Sequence, residues 1–304
     1  MRPPCESRKQ AGSRSFKAPP SGAPALPRSL VRAPLIAALL LAGCATARVG
    51  PAADSDRQPA PLHYVVNRTA GAIKVDGRLD DPAWSRAPWT GSFVDIEGAR
   101  RPSPRFRTRV KMLWDDQYWY LAAELEEPEL WATIRERDAV IFRDNDFEIF
   151  VDPSGTARRY FEVEVNQFAT VWDLFLPKAY RDGGHAVNEW NITGLQVAVS
   201  LDGTINHPGD RDRGWTVEMA IPWAALADSG HNVVPPRTGD RWRVNFSRVE
   251  WLVDSVEGVY AKRKDATGRA LPEDNWVWSP QGVVNMHVPE RWGTVQFGGE
   301  WRRP

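Results

Sequence analysis

Cysteine is nearly absent from this chain, which has only Cys5 and Cys44 among 304 residues. Neither lies in the part that we expect to fold, so no disulfide is predicted and core packing must stabilise the domain, which its size permits. Zinc is not expected either, because the scattered histidines form no i, i+4 pair and have no cysteine partner in the folded part. These histidines are His63, His185, His207, His231 and His287.

An excess of basic charge is also lacking. The chain has 39 Lys and Arg against 39 Asp and Glu, and residues 1–43 hold seven of the basic residues and one of the acidic ones. Without that segment the counts are 32 and 38, a net charge of −6. Nucleic-acid binding is therefore not expected, since it requires a basic surface.

The N-terminal region has the features of an export signal. Arg28 and Arg32 precede a short apolar run at 35–43, which ends in small residues before Cys44. The end of this run, LAGC, resembles a bacterial lipobox, in which the chain is cut before a lipidated cysteine. We expect residues 1–43 to be removed, Cys44 to carry the lipid, and 44–62 to form a flexible linker from the membrane. The alternative is an ordinary signal peptide with an incidental cysteine.

Tryptophan is absent before residue 84, whereas fifteen tryptophans follow from Trp84 to Trp301. The same region lacks a sustained helical period of apolar residues and instead alternates apolar and polar residues between turns. This pattern predicts an all-β fold, an antiparallel, jelly-roll-like β-sandwich that forms a single domain over 63–304. Expected strands are 107–114 and 118–125 as a hairpin, 146–151, 160–166, 170–176, 195–201, 215–221, 241–250 and 292–297.

Four segments together resemble the family 9 carbohydrate-binding modules. They are VDGRLDDPAW at 75–84, DNDFEIFVDP at 144–153, GWTVEMAIPW at 214–223 and PERWG at 289–293. The resemblance implies a sugar-binding β-sandwich, with structural calcium in some members. It also implies that the two tryptophans that enclose the sugar in the xylanase modules fall on Phe142 and near Met286.

The resemblance places polar ligand contacts on Glu148, Glu162, Glu164 and Asn166, although Glu164 stands where the xylanase modules have arginine. The residues support this independently, because positions 162, 164 and 166 of a strand share one face. Without the resemblance, the row is more typical of the solvated face of an antiparallel strand. Further binding candidates are two aromatic residues at loop–strand junctions and an arginine suited to an acidic sugar or a carboxylate, namely Trp172, Trp190 and Arg248. Arg248 could equally pair with Glu250 or another surface acid.

Calcium is a further expectation. Asp144, Asn145, Asp146 and Asp152 provide oxygen ligands of the kind that calcium prefers, and the metal prediction is placed on the three aspartates. The spacing is not that of the twelve-residue calcium loop, and 152–155 also fits a type I turn.

The favoured function is non-catalytic carbohydrate binding by a lipoprotein anchored in the cell envelope, in support of polysaccharide-degrading enzymes. Ala45 after the lipidated cysteine is compatible with sorting to the outer membrane. Two alternatives stay open: a haem-binding domain with His287 or Met286 as axial ligand, and a glycoside hydrolase that uses paired carboxylates such as Glu148 with Glu162 or Glu164.

Overall fold

The computed structural model describes residues 60–69, 71, 73–227 and 234–300, without the side chain of Glu300. These residues form strands and short turns, with one short α-helix, α1, at Trp223–Leu226. The first seven strands are β1 His63–Arg68, β2 Val94–Asp95, β3 Thr108–Trp114, β4 Tyr118–Glu126, β5 Asp146–Asp152, β6 Arg158–Asn166 and β7 Val171–Lys178. The others are β8 Gln196–Asp202, β9 Gly214–Pro222, β10 Arg241–Glu250, β11 Val253–Val256, β12 Val259–Lys262, β13 Asp274–Val277 and β14 Gly293–Glu300.

Ten strands form one continuous sheet in the order β7-β6-β5-β10-β14-β1-β3-β4-β9-β8, and β13 and β2 extend it from β10. The predicted hairpin is present as β3 and β4, which pair antiparallel from Thr108 with Leu125 to Trp114 with Trp119. The sheet departs from the antiparallel prediction at β1, which is parallel to both β14 and β3. No hairpin connects β1 to either neighbour, so the chain is free to run in the same direction as both.

The sheet folds over, so that its two halves enclose one main core. Apolar side chains of β5, β6 and β10 meet those of β3, β4 and β9 there, together with residues of β1 and β14. Trp114, Trp215 and Trp242, whose strand positions predict core packing, are all buried in this core. Two layers around a shared apolar interior confirm the predicted β-sandwich.

Alternation along β5 and β6 decides what lies outside this core. Phe147, Ile149 and Val151 of β5 face inward, as do the odd-numbered residues 161, 163 and 165 of β6. The even-numbered residues point to the opposite face. A second apolar cluster, which includes Ile141, Phe150, Trp172 and Trp292, covers part of that outer face.

No helix among the described residues is both long and apolar enough to cross a membrane. The predicted signal region at 1–43, the lipidated Cys44 and all of the linker before residue 60 lie outside the described residues, as does His231.

Candidate functional site

A row of side chains crosses the outer face of the β10-β5-β6-β7 half of the sheet. Ser247 of β10 lies opposite Glu148 of β5, Glu148 lies opposite Glu164 of β6, and Glu164 lies opposite Trp172 of β7. In the neighbouring row, Phe150 lies opposite Glu162. Because side chains of paired residues lie on the same side of a sheet, the three glutamates converge on one patch.

This patch forms the floor of an open cavity of about 440 Å³. The loop that precedes β5 and the segment that precedes β14 provide its walls. Six of the residues that the sequence predicts for the ligand site line this cavity, namely Phe142, Glu148, Glu162, Glu164, Trp172 and Met286. The even-residue face of β6 is therefore a cavity surface rather than a freely solvated strand face.

Phe142 presents an accessible aromatic surface in the cavity, with 38% of the residue exposed. It lies on a short 3-10 turn, Ile141–Arg143, whose first residue is buried. Its backbone N–H donates to Glu164 Oε2 at 3.0 Å, and its carbonyl accepts from Trp251 Nε1 at 2.9 Å. Both bonds fix the ring beside the carboxylates, so a flat ligand can stack on Phe142 while bonding to the floor.

Trp172 supports this wall from behind. Its ring centroid is 6.4 Å from that of Phe142, at an interplanar angle of 30°, and only 9% of the residue is exposed. Met286 is also almost buried, and its carbonyl accepts a hydrogen bond from Trp292 Nε1 at 2.8 Å. Met286 therefore offers a small apolar contact rather than a second stacking face.

Tyr180 and His287 also line the cavity, although neither was predicted as a sugar contact. Tyr180 is 43% exposed and meets His287 edge to face, with ring centroids 4.5 Å apart. His287 Nδ1 lies 3.0 Å from the Tyr160 hydroxyl, and burial lowers the pKa of His287 to about 4, so the ring is neutral at pH 7. The signal for Tyr180 was its place at the start of the long polar loop 180–189.

The floor of the cavity is acidic, and its carboxyl groups hold protons more tightly than ordinary carboxyls do. Burial raises the pKa of Glu148 to about 7. Burial and the neighbouring carboxylates also raise the pKa values of Glu162 and Glu164 well above the usual range. Within the described ranges, no lysine or arginine forms an ion pair with any of the three, and the nearest basic group is His287 Nε2, 4.0 Å from Glu162.

Asn166 shares the face of Glu162 and Glu164, yet the structure places it away from the cavity. Its amide donates to the Ile134 carbonyl at 2.8 Å and to Asp144 Oδ2 at 3.0 Å, while its carbonyl accepts from the backbone N–H groups of Phe168 and Thr170. These bonds leave the fully buried side chain to hold the loop before β5, where no ligand can reach it.

Arg248 and Trp190 lie on the other side of the sheet. Arg248 has the same parity as the core residues Val244 and Phe246, and its guanidinium binds the buried carboxylates of Glu127 and Glu250. Trp190 packs on Phe161 and Phe175, with centroids 5.8 Å from each. Neither side chain is among the cavity residues, so the structure assigns both to packing.

The three aspartates predicted for calcium do not form one ligand set. Asp144 accepts hydrogen bonds from Thr133 Oγ1, from the backbone N–H groups of Thr133 and Ile134, and from Asn166. Asp152 accepts from Ser154 Oγ and from the N–H of Ala157, as expected for a turn. Asn145 likewise bonds Glu127 and the Trp251 N–H. Only Asp146 keeps an oxygen free, and it lies beside Glu148 and Glu164.

A larger cavity, of about 620 Å³, lies along β4, β8 and β9. Four of its charged side chains are engaged in pairs, since Arg107 bonds Glu124 and Arg213 bonds Asp202. Its tryptophan, Trp215, is buried in the core and offers no face. The smaller cavity is therefore the better ligand site, because it combines an exposed ring with unpaired acids.

The fold and this cavity define a ligand-binding β-sandwich domain. The model of the family described as carbohydrate family 9 binding domain-like matches residues 75–297. The chain belongs to this family.

Two enzymes contain similar segments. Endo-1,4-beta-xylanase A of Thermoanaerobacterium saccharolyticum is 24% identical over 164 residues, which are 54% of this chain and 12% of the enzyme. Exoglucanase XynX of Acetivibrio thermocellus is 25% identical over 156 residues, which are 51% of this chain and 12% of the enzyme. The chain thus matches only a small part of each relative.

A crystal structure described as a putative carbohydrate-binding protein from Bacteroides uniformis has the same fold. Its TM-score is 0.56 at 17% sequence identity, and the match covers 78% of this chain and 100% of that one. At this identity the likeness concerns the fold alone.

Proposed function

We propose that this protein binds carbohydrate without transforming it, in the cavity lined by Phe142 and the glutamates of β5 and β6. The observation that supports this most directly is the exposed Phe142 ring fixed next to Glu164. Sugar rings have apolar C–H faces that stack on aromatic rings and hydroxyls that bond to carboxylates. The cavity volume of about 440 Å³ is within the range of small-molecule sites.

The names of the two enzyme relatives suggest the class of sugar. One is named for xylan and the other for a glucan, and in both the similar segment is a small part of the chain. We therefore propose that the ligand is a β-1,4-linked plant polysaccharide or an oligosaccharide derived from it. On this proposal the protein holds the polysaccharide near degrading enzymes rather than cleaving it.

Calorimetric titration of the purified protein with xylo- and cello-oligosaccharides tests the proposal. Phe142→Ala removes the stacking surface and should weaken binding by roughly tenfold, equivalent to about 1.4 kcal/mol. The matched control is Phe168→Ala, a half-buried phenylalanine that stacks with Arg135 instead and should leave sugar affinity unchanged.

Two outcomes would contradict the proposal: a folded protein that binds no glycan, or Phe142→Ala and Phe168→Ala variants with equal affinity. Hydrolysis of chromogenic glycosides, abolished by Glu148→Gln, would instead favour a hydrolase with the same cavity.

We also propose that the domain is held at the bacterial envelope by a lipid on Cys44. A basic flank and an apolar run precede this cysteine, which is the last residue of the LAGC sequence. Outer-membrane attachment would raise the local concentration of a weak binding domain near its polymer. Metabolic labelling with an alkyne fatty acid should mark the wild-type protein and not Cys44→Ser. Equal labelling of both would contradict lipidation at this residue.

A further inference from the structure

Three carboxyl groups meet beneath the wall of the cavity. Asp146 and Glu148 are two residues apart on β5, and Glu164 is the cross-strand partner of Glu148 on β6. One carboxylate oxygen from each lies within 4.8 Å of those of the other two, and all three residues are buried. Glu148 and Glu164 line the cavity, whereas Asp146 lies below them.

The group has buried oxygen atoms with no hydrogen-bond partner. Asp146 Oδ2 and Glu148 Oε2 are both unpartnered. A third atom, Ser247 Oγ, is not acidic, is completely buried and also makes no hydrogen bond of ordinary geometry. Ser247 is paired with Glu148 across the strands, and contact of its hydroxyl with that carboxyl lowers the pKa of Glu148, so the hydroxyl faces the carboxyl cluster. Buried polar atoms normally have partners, so these three side chains, with Glu164 beside them, are able to bind a further group.

These three acids need either protons or a bound cation to balance their charge. Across the described part of the chain, no lysine or arginine forms an ion pair with Asp146, Glu148 or Glu164, although buried carboxylates are rarely left without a cation. The other oxygens of the group are used locally: Glu164 Oε2 accepts from Phe142 N–H, and Asp146 Oδ1 accepts from Val249 N–H.

We propose that Asp146, Glu148, Glu164 and Ser247 bind a calcium ion at the floor of the cavity. Calcium takes about six to eight oxygen ligands and tolerates irregular geometry, so carboxylates that bind through one or both oxygens suit it, together with a hydroxyl. The open side of the ion faces the cavity, where water or ligand hydroxyls complete the coordination. This site shares only Asp146 with the set Asp144, Asp146 and Asp152 expected from the sequence. It does not depend on sugar binding.

Calcium titration of the protein, stripped with a chelator and free of sugar, tests the proposal by calorimetry and by thermal unfolding. Saturation at a hundredfold excess over Kd should raise Tm by roughly 5–10 °C. Glu164→Gln keeps the shape of the side chain and should weaken calcium binding tenfold or more. In chelator its Tm should equal or exceed that of the wild type, because a neutral amide replaces an acid that must take up a proton to stay buried beside other carboxyls.

Two matched variants locate the ion. Glu162→Gln changes a glutamate of the same cavity that contacts Glu164 but is not a proposed ligand, and it should bind calcium within about threefold of wild type. Asp152→Asn tests the alternative position and should also retain binding. The proposal is overturned if calcium gives neither heat nor a Tm shift, if Glu164→Gln binds as tightly as wild type, or if Asp152→Asn alone loses binding. A protein that binds calcium but no glycan would refute only the proposed function.

Discussion

Replacement of Arg248 tests whether this arginine stabilises the fold or binds the ligand. Its guanidinium is completely buried and makes hydrogen bonds to Glu250 Oε2 at 2.9 Å, Glu127 Oε2 at 2.8 Å, Thr108 Oγ1 at 3.2 Å and the Glu126 carbonyl at 2.8 Å. Arg248→Met keeps much of the apolar stem but leaves the carboxylates of Glu127 and Glu250 buried without their cation.

The expected loss of stability follows from those two acids. Removal of one partner from a buried ion pair destabilises a protein by about 3–5 kcal/mol, because the remaining charge stays desolvated. Burial already holds the pKa of Glu250 well above its usual range, although Arg248 opposes that rise. Without the arginine, both acids must take up protons or draw water into the core. Either response lowers the free energy of unfolding.

Urea unfolding at pH 7, followed by tryptophan fluorescence, measures this loss. Arg213→Met is the matched control, because Arg213 also bonds a carboxylate, that of Asp202, but its side chain is 80% exposed. An exposed pair contributes about 1 kcal/mol at most. Where Arg248→Met is still folded, its sugar affinity should match wild type. A loss below about 1 kcal/mol, or weaker sugar binding with unchanged stability, would refute the structural role.

Two further predictions concern pH and backbone geometry. In chelator, the stability of the protein should fall as pH rises from about 4.5 through 7, because native Glu148 keeps a proton that the unfolded chain has released. At about 1.36 kcal/mol per pKa unit, Glu148→Gln should gain about 3 kcal/mol over wild type at pH 8 and little at pH 4, and a difference independent of pH would count against it. Gly77→Ala should lower Tm, because Gly77 has a φ of +81° and an added Cβ would lie 2.7 Å from the Val199 carbonyl carbon. An unchanged Tm would show that the turn can relax.

Local alternation explains why so much of the site could be predicted. Residues 162 and 164 share a face with each other and not with Val163 between them, and that periodicity belongs to the strand itself. The strands β3 to β10 are long and alternate clearly, so their positions were also predictable. The same reasoning could have excluded Arg248, since it shares its parity on β10 with the core residues Val244 and Phe246.

Contacts distant in sequence explain what alternation could not predict. Asn166 continues the row of Glu162 and Glu164, but the loop before β5 covers it and uses its amide. The short strands β2, β11, β12 and β13 have two to four residues each, too few for a period to stand out. The parallel pairing of β1 with β14 joins opposite ends of the domain, so no local turn signals it.

The cavity floor differs from other buried acids of the same protein. Glu218, also fully buried, accepts from Trp84 Nε1 at 2.7 Å and from the N–H groups of Asp76 and Gly77. Asp212 likewise bonds the N–H groups of Leu130 and Thr204. Within the described residues, the buried carboxylates with an unpartnered oxygen are Glu148, which lines the cavity, and Asp146, which lies beside it. Glu218 and Asp212 thus have hydrogen-bond partners, whereas two carboxylates near an exposed ring each have an oxygen without one. Such departures from local consistency are typical of binding sites.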